Sequence, residues 1–97
     1  MKEMRPLHPG EILRDEFLVP LGLSPSALAF ELKVPAPRVN DIVRERRAIT
    51  PDTALRLSRY FGTSPEFWMD LQGAFDLKTA AQDAGAKIEA EISPRAA

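Results

Sequence analysis

Between Ala36 and Thr50 the chain gathers Arg38, Asn40, Asp41, Arg44, Arg46 and Arg47 in one short stretch. These residue types suit a nucleic acid. Arginine can bond guanine through two parallel N–H groups, asparagine can bond adenine, and small apolar groups such as Ala36 and Pro37 can touch a thymine methyl. Ala36, Pro37, Arg38, Asn40 and Asp41 are therefore the expected base readers. Arg44, Arg46 and Arg47, with Ser24, Ser26, Lys33 and Thr50, are the expected phosphate contacts. Covalent chemistry has much less to draw on: there is no cysteine, one histidine, no glycine-rich phosphate loop and no convincing carboxylate pair. An enzyme is not expected, nor is a cofactor or a bound metal.

The net charge of −1 conceals a division along the chain. Residues 1–32 carry three basic against five acidic side chains, residues 33–63 seven against three, and residues 64–97 three against six. A phosphate backbone responds to local charge, so a basic middle between acidic ends fits one surface for DNA and another for a different partner.

These side chains must be held by helices, because no alternating period marks a strand. His8-Pro9, Ser24-Pro25, Ala36-Pro37, Thr50-Pro51 and Ser64-Pro65 each put proline at a helix start. Its missing N–H has no helical partner there, and Ser24, Thr50 and Ser64 can cap the next free donors. The first helix is expected from Pro9 to Val19, with Ile12, Leu13, Phe17 and Leu18 inward, stopping at Pro20 and Gly22. The second spans about Pro25 to Leu32 and the third Ala36 to Arg44. The fourth, Pro51 to Phe61, is expected to bury Ala54, Leu55 and Leu57, with Phe61 as a further candidate, and to end at Gly62. A fifth starts at Pro65 and can run to Glu91, although Gly73 and Gly85 weaken it.

Helices two and three are bridged only by Lys33-Val34-Pro35, so they must cross closely. Ala29 supplies the small contact residue among Leu28 and Leu32. Val39, Ile42 and Val43 face the same core, and Val34 plugs the bend. This is the build of a helix-turn-helix, which presents the leading end of its second helix to the major groove. An ordinary helical bundle with a polar third helix satisfies the same pattern.

At 97 residues and 44% hydrophobic content, the chain can bury one small core. It has no apolar run long enough for a membrane span and no secretory signal at its start, and without cysteine a cytoplasmic protein is expected. His8 reads as a helix-start residue rather than a metal ligand. Trp68 with Phe67, Leu71 and Phe75 reads as packing beneath helix four rather than as a ligand pocket.

The segments HPGEIL (8–13), LGLS (21–24), SALA (26–29), VP (34–35), RVNDIV (38–43) and RRAITPDTALRLSRYFGTSPEFWMDLQ (46–72) resemble the HigA-type, VapI-like antitoxins of the phage-repressor (XRE) class of helix-turn-helix proteins. The resemblance covers residues 7–72. It implies an all-α, five-helix bundle with a long C-terminal helix. It also implies a homodimer that neutralises a RelE-like ribonuclease toxin and represses its own operon at an inverted repeat of double-stranded DNA. A stand-alone helix-turn-helix transcriptional regulator without a toxin is the alternative.

The chain departs from the family pattern in three places. Pro25 stands where glutamine is common, which removes a DNA contact. Lys33 stands where glycine turns left-handed, at a cost of about 1 kcal/mol if that conformation is kept. Arg44-Glu45-Arg46-Arg47 replaces an asparagine-glycine-lysine-arginine turn and adds charge.

The expected organisation is an N-terminal arm (1–7), a DNA-binding domain (8–72), a C-terminal helix (73–92) and a disordered tail (93–97). That helix is alanine-rich, with Phe75, Leu77 and Ile88, and so suits close packing against a like helix. Dimerisation is its first expected role and toxin contact its second.

Overall fold

The computed structural model describes residues 5–96. Residues 1–4 of the expected arm and residue 97 of the expected tail lie outside the described residues. Among those described, five helices and no strand are present. They are α1 (residues 9–21), α2 (Pro25–Leu32), α3 (Ala36–Val43), α4 (Pro51–Phe61) and α5 (Pro65–Glu91).

The proline starts behave as the sequence predicts. Ser24 Oγ accepts from the Ala27 N–H, Thr50 Oγ1 from Thr53 and Ser64 Oγ from Phe67, each quieting one orphan donor of the first turn. His8 does the same with its imidazole: Nδ1 accepts the Gly10 N–H at 2.9 Å. The α3 start has no side-chain cap.

The first helix departs from expectation. It does not stop at Pro20 but runs through it to Leu21, because Leu13–Leu18 widen into a π-helix. The Val19 N–H reaches back five residues to the Arg14 carbonyl. A widened turn draws the preceding carbonyls away from the proline ring, which would collide with them in a regular helix. Gly22, at φ 62°, ends the helix, and the Leu23 N–H closes onto the Leu18 carbonyl.

The core is one cluster of Leu13, Leu18, Leu28, Ala29, Leu32, Val39, Ile42, Val43, Ile49, Ala54, Leu57 and Trp68. Two close approaches organise it. Ala29 is buried at the α2/α3 crossing, and Gly10 lies so close to the Ile42 carbonyl that a Cβ would overlap it. Leu55 is not buried as expected; it is 59% exposed. The buried line of α4 is Thr53, Ala54 and Leu57, and Leu55, one residue past Ala54, falls about 100° away around the helix. Trp68 is fully buried, beside Phe17 and Phe67, with Nε1 donating to Thr63 Oγ1 at 2.8 Å.

Helix α5 continues unbroken through Gly73 and Gly85, and its only buried residues are Trp68 and Gln72. Its later turns expose Leu77 and Ile88, with Ile92 just past the helix end, among exposed alanines and polar residues. At about 1.5 Å per residue the helix is about 40 Å long, which draws the molecule out to 52 × 29 × 20 Å.

Candidate nucleic-acid interface

The α2/α3 turn is set by Lys33, which adopts φ 61° and ψ 43°. Its N–H returns to Ala29 and Phe30, and the Val34 N–H to Ala29. The left-handed conformation that the family gives to glycine is thus kept by a residue with a Cβ. The Lys33 ammonium lies 4.9 Å from the centre of the Phe30 ring, a cation–π contact that holds it against α2.

Val39, Ile42 and Val43 anchor α3 to the core, leaving the polar residues between them outward. Pro37 is exposed, and Ala36 is half-buried against the core. Arg38, Asn40 and Asp41 are each partly exposed and already engaged within the chain. Arg38 Nη1 donates to Asp52 Oδ2 at 2.7 Å. Asn40 Nδ2 donates to the Ala36 carbonyl at 3.1 Å. Asp41 faces Arg47 at 3.4 Å and Arg46 at 3.9 Å.

Arg44 caps α3, and the next residue turns left-handed: Glu45 has φ 63°. Its N–H bonds the Ile42 carbonyl and the Arg46 N–H bonds Asp41, a Schellman closure built without glycine. Arg44, Arg46 and Arg47 are all exposed. Beyond them the Ile49 N–H donates to Gln72 Oε1 at 2.7 Å, and Gln72 Nε2 donates to Asp76. The buried Gln72 therefore ties the arginine loop to α5.

The structure brings only some of the expected contact residues together in hollows. Arg38, Arg47 and Thr50 line one hollow of about 200 Å³ together with Ala48, Asp52 and Thr53. Ser24 and Pro25 line another with Arg14, Leu23 and Val43, at the far end of α3. Ser26 is exposed on α2. Ser24 and Thr50 serve as helix caps here.

Three further residues shape this surface and went unnoticed in the sequence. Arg14 donates from Nη1 to the Val43 carbonyl at 2.7 Å and so caps the end of α3. Asp52 receives Arg56 Nε at 2.9 Å as well as Arg38, and Arg56 Nη1 donates to the Leu32 carbonyl at 2.8 Å. Arg56, and then Arg38, hold the Asp52 carboxyl below the usual carboxylate range. The four-residue spacing of Asp52 and Arg56 was a readable signal; the reach from Arg38 or Arg14 to another helix was not.

A helix-turn-helix family model matches residues 13–68. Virulence-associated protein I of Dichelobacter nodosus is 59% identical over 81 residues, which cover 84% of this chain and 75% of that protein. A Haemophilus influenzae protein named as an uncharacterized HTH-type transcriptional regulator is 43% identical over 77 residues, covering 79% of this chain and 72% of its own length. Among solved structures, Pseudomonas aeruginosa antitoxin HigA with the higBA promoter superposes with a TM-score of 0.93 at 60% identity, over 95% of this chain and all of that one. With its turn, its exposed α3 and its long α5 matched over nearly the whole length, the chain belongs to the HigA-type, VapI-like antitoxins of the phage-repressor class of helix-turn-helix proteins.

Proposed function

We propose that this chain is the antitoxin of a type II toxin–antitoxin module, acting in the cytoplasm. As a homodimer it neutralises a RelE-like ribonuclease toxin and represses its own operon by binding an inverted repeat. The observation that carries the DNA role is the match, at 60% identity, to an antitoxin solved with promoter DNA. The exposed Arg44, Arg46 and Arg47 at the end of α3 suit the phosphate backbone.

In this reading residues 8–72 bind DNA. Ala36, Pro37, Arg38, Asn40 and Asp41 read bases, and Ser24, Ser26, Lys33, Arg44, Arg46, Arg47 and Thr50 meet phosphates. Asn40 must leave the Ala36 carbonyl to meet a base. The exposed Leu77, Ile88 and Ile92 support a partner on residues 73–92, with a second copy first and the toxin second. Two half-sites read by a dimer lie about one helical turn apart.

The test has two arms. Anisotropy titration of the duplex upstream of the chain's own reading frame should show salt-dependent binding that a shuffled duplex of equal length does not match. Co-expression with the neighbouring reading frame should yield a stable complex and relieve growth arrest. DNA binding without any copurifying neighbour would favour a stand-alone regulator, the reading to which the name of the Haemophilus influenzae relative points.

A further inference from the structure

We propose that Asp52, a residue of α4, is a positioning residue for base reading: it fixes the Arg38 guanidinium in the orientation that meets the base edge. The inference rests on the DNA-binding reading above and deepens it.

The geometry is a relay anchored to backbone. The Leu32 carbonyl ends α2 and accepts Arg56 Nη1 at 2.8 Å. Arg56 Nε then donates to Asp52 Oδ2 at 2.9 Å, and the same oxygen accepts Arg38 Nη1 at 2.7 Å. Each link restricts the next, so the last side chain of the relay inherits the rigidity of the α2 terminus.

Asp52 has two conceivable roles, as a lock that withholds Arg38 from DNA or as a support that aims it. A lock would neutralise Arg38 and occupy its fork through both carboxylate oxygens. Instead, among the described residues, only Oδ2 is engaged, and only at Nη1 of Arg38. Four of the five guanidinium N–H groups have no hydrogen bond to a described residue, which leaves donors for a bidentate contact with a base. The charge also argues for support: two guanidiniums share one carboxylate, which leaves one positive charge in excess on the surface that faces phosphate.

Holding a long side chain in place before binding removes an ordering cost from the specific complex, and random DNA, which Arg38 does not read, gains nothing from it. The same relay explains part of the TPDTALR sequence at residues 50–56, where Asp52 and Arg56 sit one helical turn apart.

Selection from a randomised duplex pool tests this with the wild-type chain, Arg38→Ala and Asp52→Ala. Wild type should select a defined sequence, and Arg38→Ala should lose the preference at one position. Asp52→Ala should lose it at that same position and lower the ratio of selected to random affinity about two- to tenfold. Its affinity for random duplex should be equal or higher, since a negative charge is gone. In an Arg38→Ala background Asp52→Ala should leave the ratio unchanged.

An undiminished preference in Asp52→Ala, which removes the accepting oxygen that asparagine would keep, overturns the inference. So does a proportional rise on selected and random duplexes, which marks Asp52 as a mere repeller of phosphate. A wild-type chain that selects no sequence removes the base-reading proposal itself. A defined sequence that Arg38→Ala leaves intact overturns the inference alone. If Asp52→Ala does not fold, Arg56→Gln, which breaks the relay one step earlier, should flatten the same position, and failure to do so overturns the inference.

Discussion

Arg14 and Val43, 29 positions apart, meet where Arg14 Nη1 donates to the Val43 carbonyl over 2.7 Å. The donor sits in the π-helical part of α1 and the acceptor in the last turn of α3. A charged group thereby satisfies a carbonyl that the helix end leaves unpaired, at the favourable pole of its dipole.

Replacing Arg14 by methionine keeps an unbranched apolar stem and removes the donor, together with the exposed pairings to Asp15 and Glu45. Loss of a charge-assisted bond of this kind should lower the unfolding free energy by about 1–2 kcal/mol. Urea denaturation reads this as a lower midpoint at constant slope. An unchanged midpoint would show that solvent replaces the guanidinium at no cost.

Two glycines should respond oppositely to alanine. At Gly10 a Cβ would overlap the Ile42 carbonyl, a backbone atom that cannot swing aside, so Gly10→Ala should destabilise by about 2–3 kcal/mol. Gly73 lies within α5 with open space around it. Gly73→Ala should add about 0.5–1 kcal/mol. Thermal melts of the two variants should therefore move in opposite directions from wild type.

Stability should fall on mild acidification, and His8 is the reason. Burial pushes its pKa below 6.5 in the folded chain, and its Nδ1 can accept the Gly10 N–H only when unprotonated. The unfolded chain then binds the proton more readily than the folded one. The contribution is complete above about pH 6.5 and is lost progressively as pH falls from there toward the lower folded value. His8→Asn, which caps without titrating, should flatten this part of the profile. A His8→Asn profile parallel to wild type through that window would refute the assignment.

Lys33 and Glu45 are the two non-glycine residues with positive φ among those described. Lys33→Gly and Glu45→Gly should each relieve about 1 kcal/mol of backbone strain. The gain is set against the Phe30 contact in the first case and a 3.5 Å pairing with Arg14 in the second. Lys33→Gly should still melt higher than wild type while binding DNA less tightly, which calorimetry and anisotropy can measure on one sample.

On the proposed function, the DNA surface should divide into charges that hold and a side chain that reads. Arg46→Ala and Arg47→Ala should each weaken binding on every duplex and reduce the slope of log affinity against log salt by about one. Arg38→Ala should cost about 1–3 kcal/mol, concentrated at one base position. Equal losses for Arg38→Ala on operator and random duplexes would make it a phosphate contact.

Much of this architecture could be read from local chemistry. A proline preceded by a capping oxygen marks α2, α4 and α5, and Ala29 betrays the helix crossing as the small residue buried there. The same local logic misplaced Pro20, since a widened turn can carry proline and nothing in the residue types announces one. Leu55 was misplaced because one helical step separates it from a truly buried alanine. In the candidate site, the outward residues of α3 followed from their spacing. Their present partners did not, because Arg38 to Asp52 and Arg14 to Val43 join different helices and depend on how the elements pack.

Gln72 gives the molecule a mechanical property. One side chain grips the Ile49 amide with its oxygen and Asp76 with its nitrogen, so it works as a rivet between the arginine loop and the shaft of α5. Torque applied to the projecting turns of that shaft is delivered one residue beyond Ala48, at the base of the loop that presents Arg46 and Arg47. Rotation of α5 at this level has to drag the loop or leave a buried amide without an acceptor.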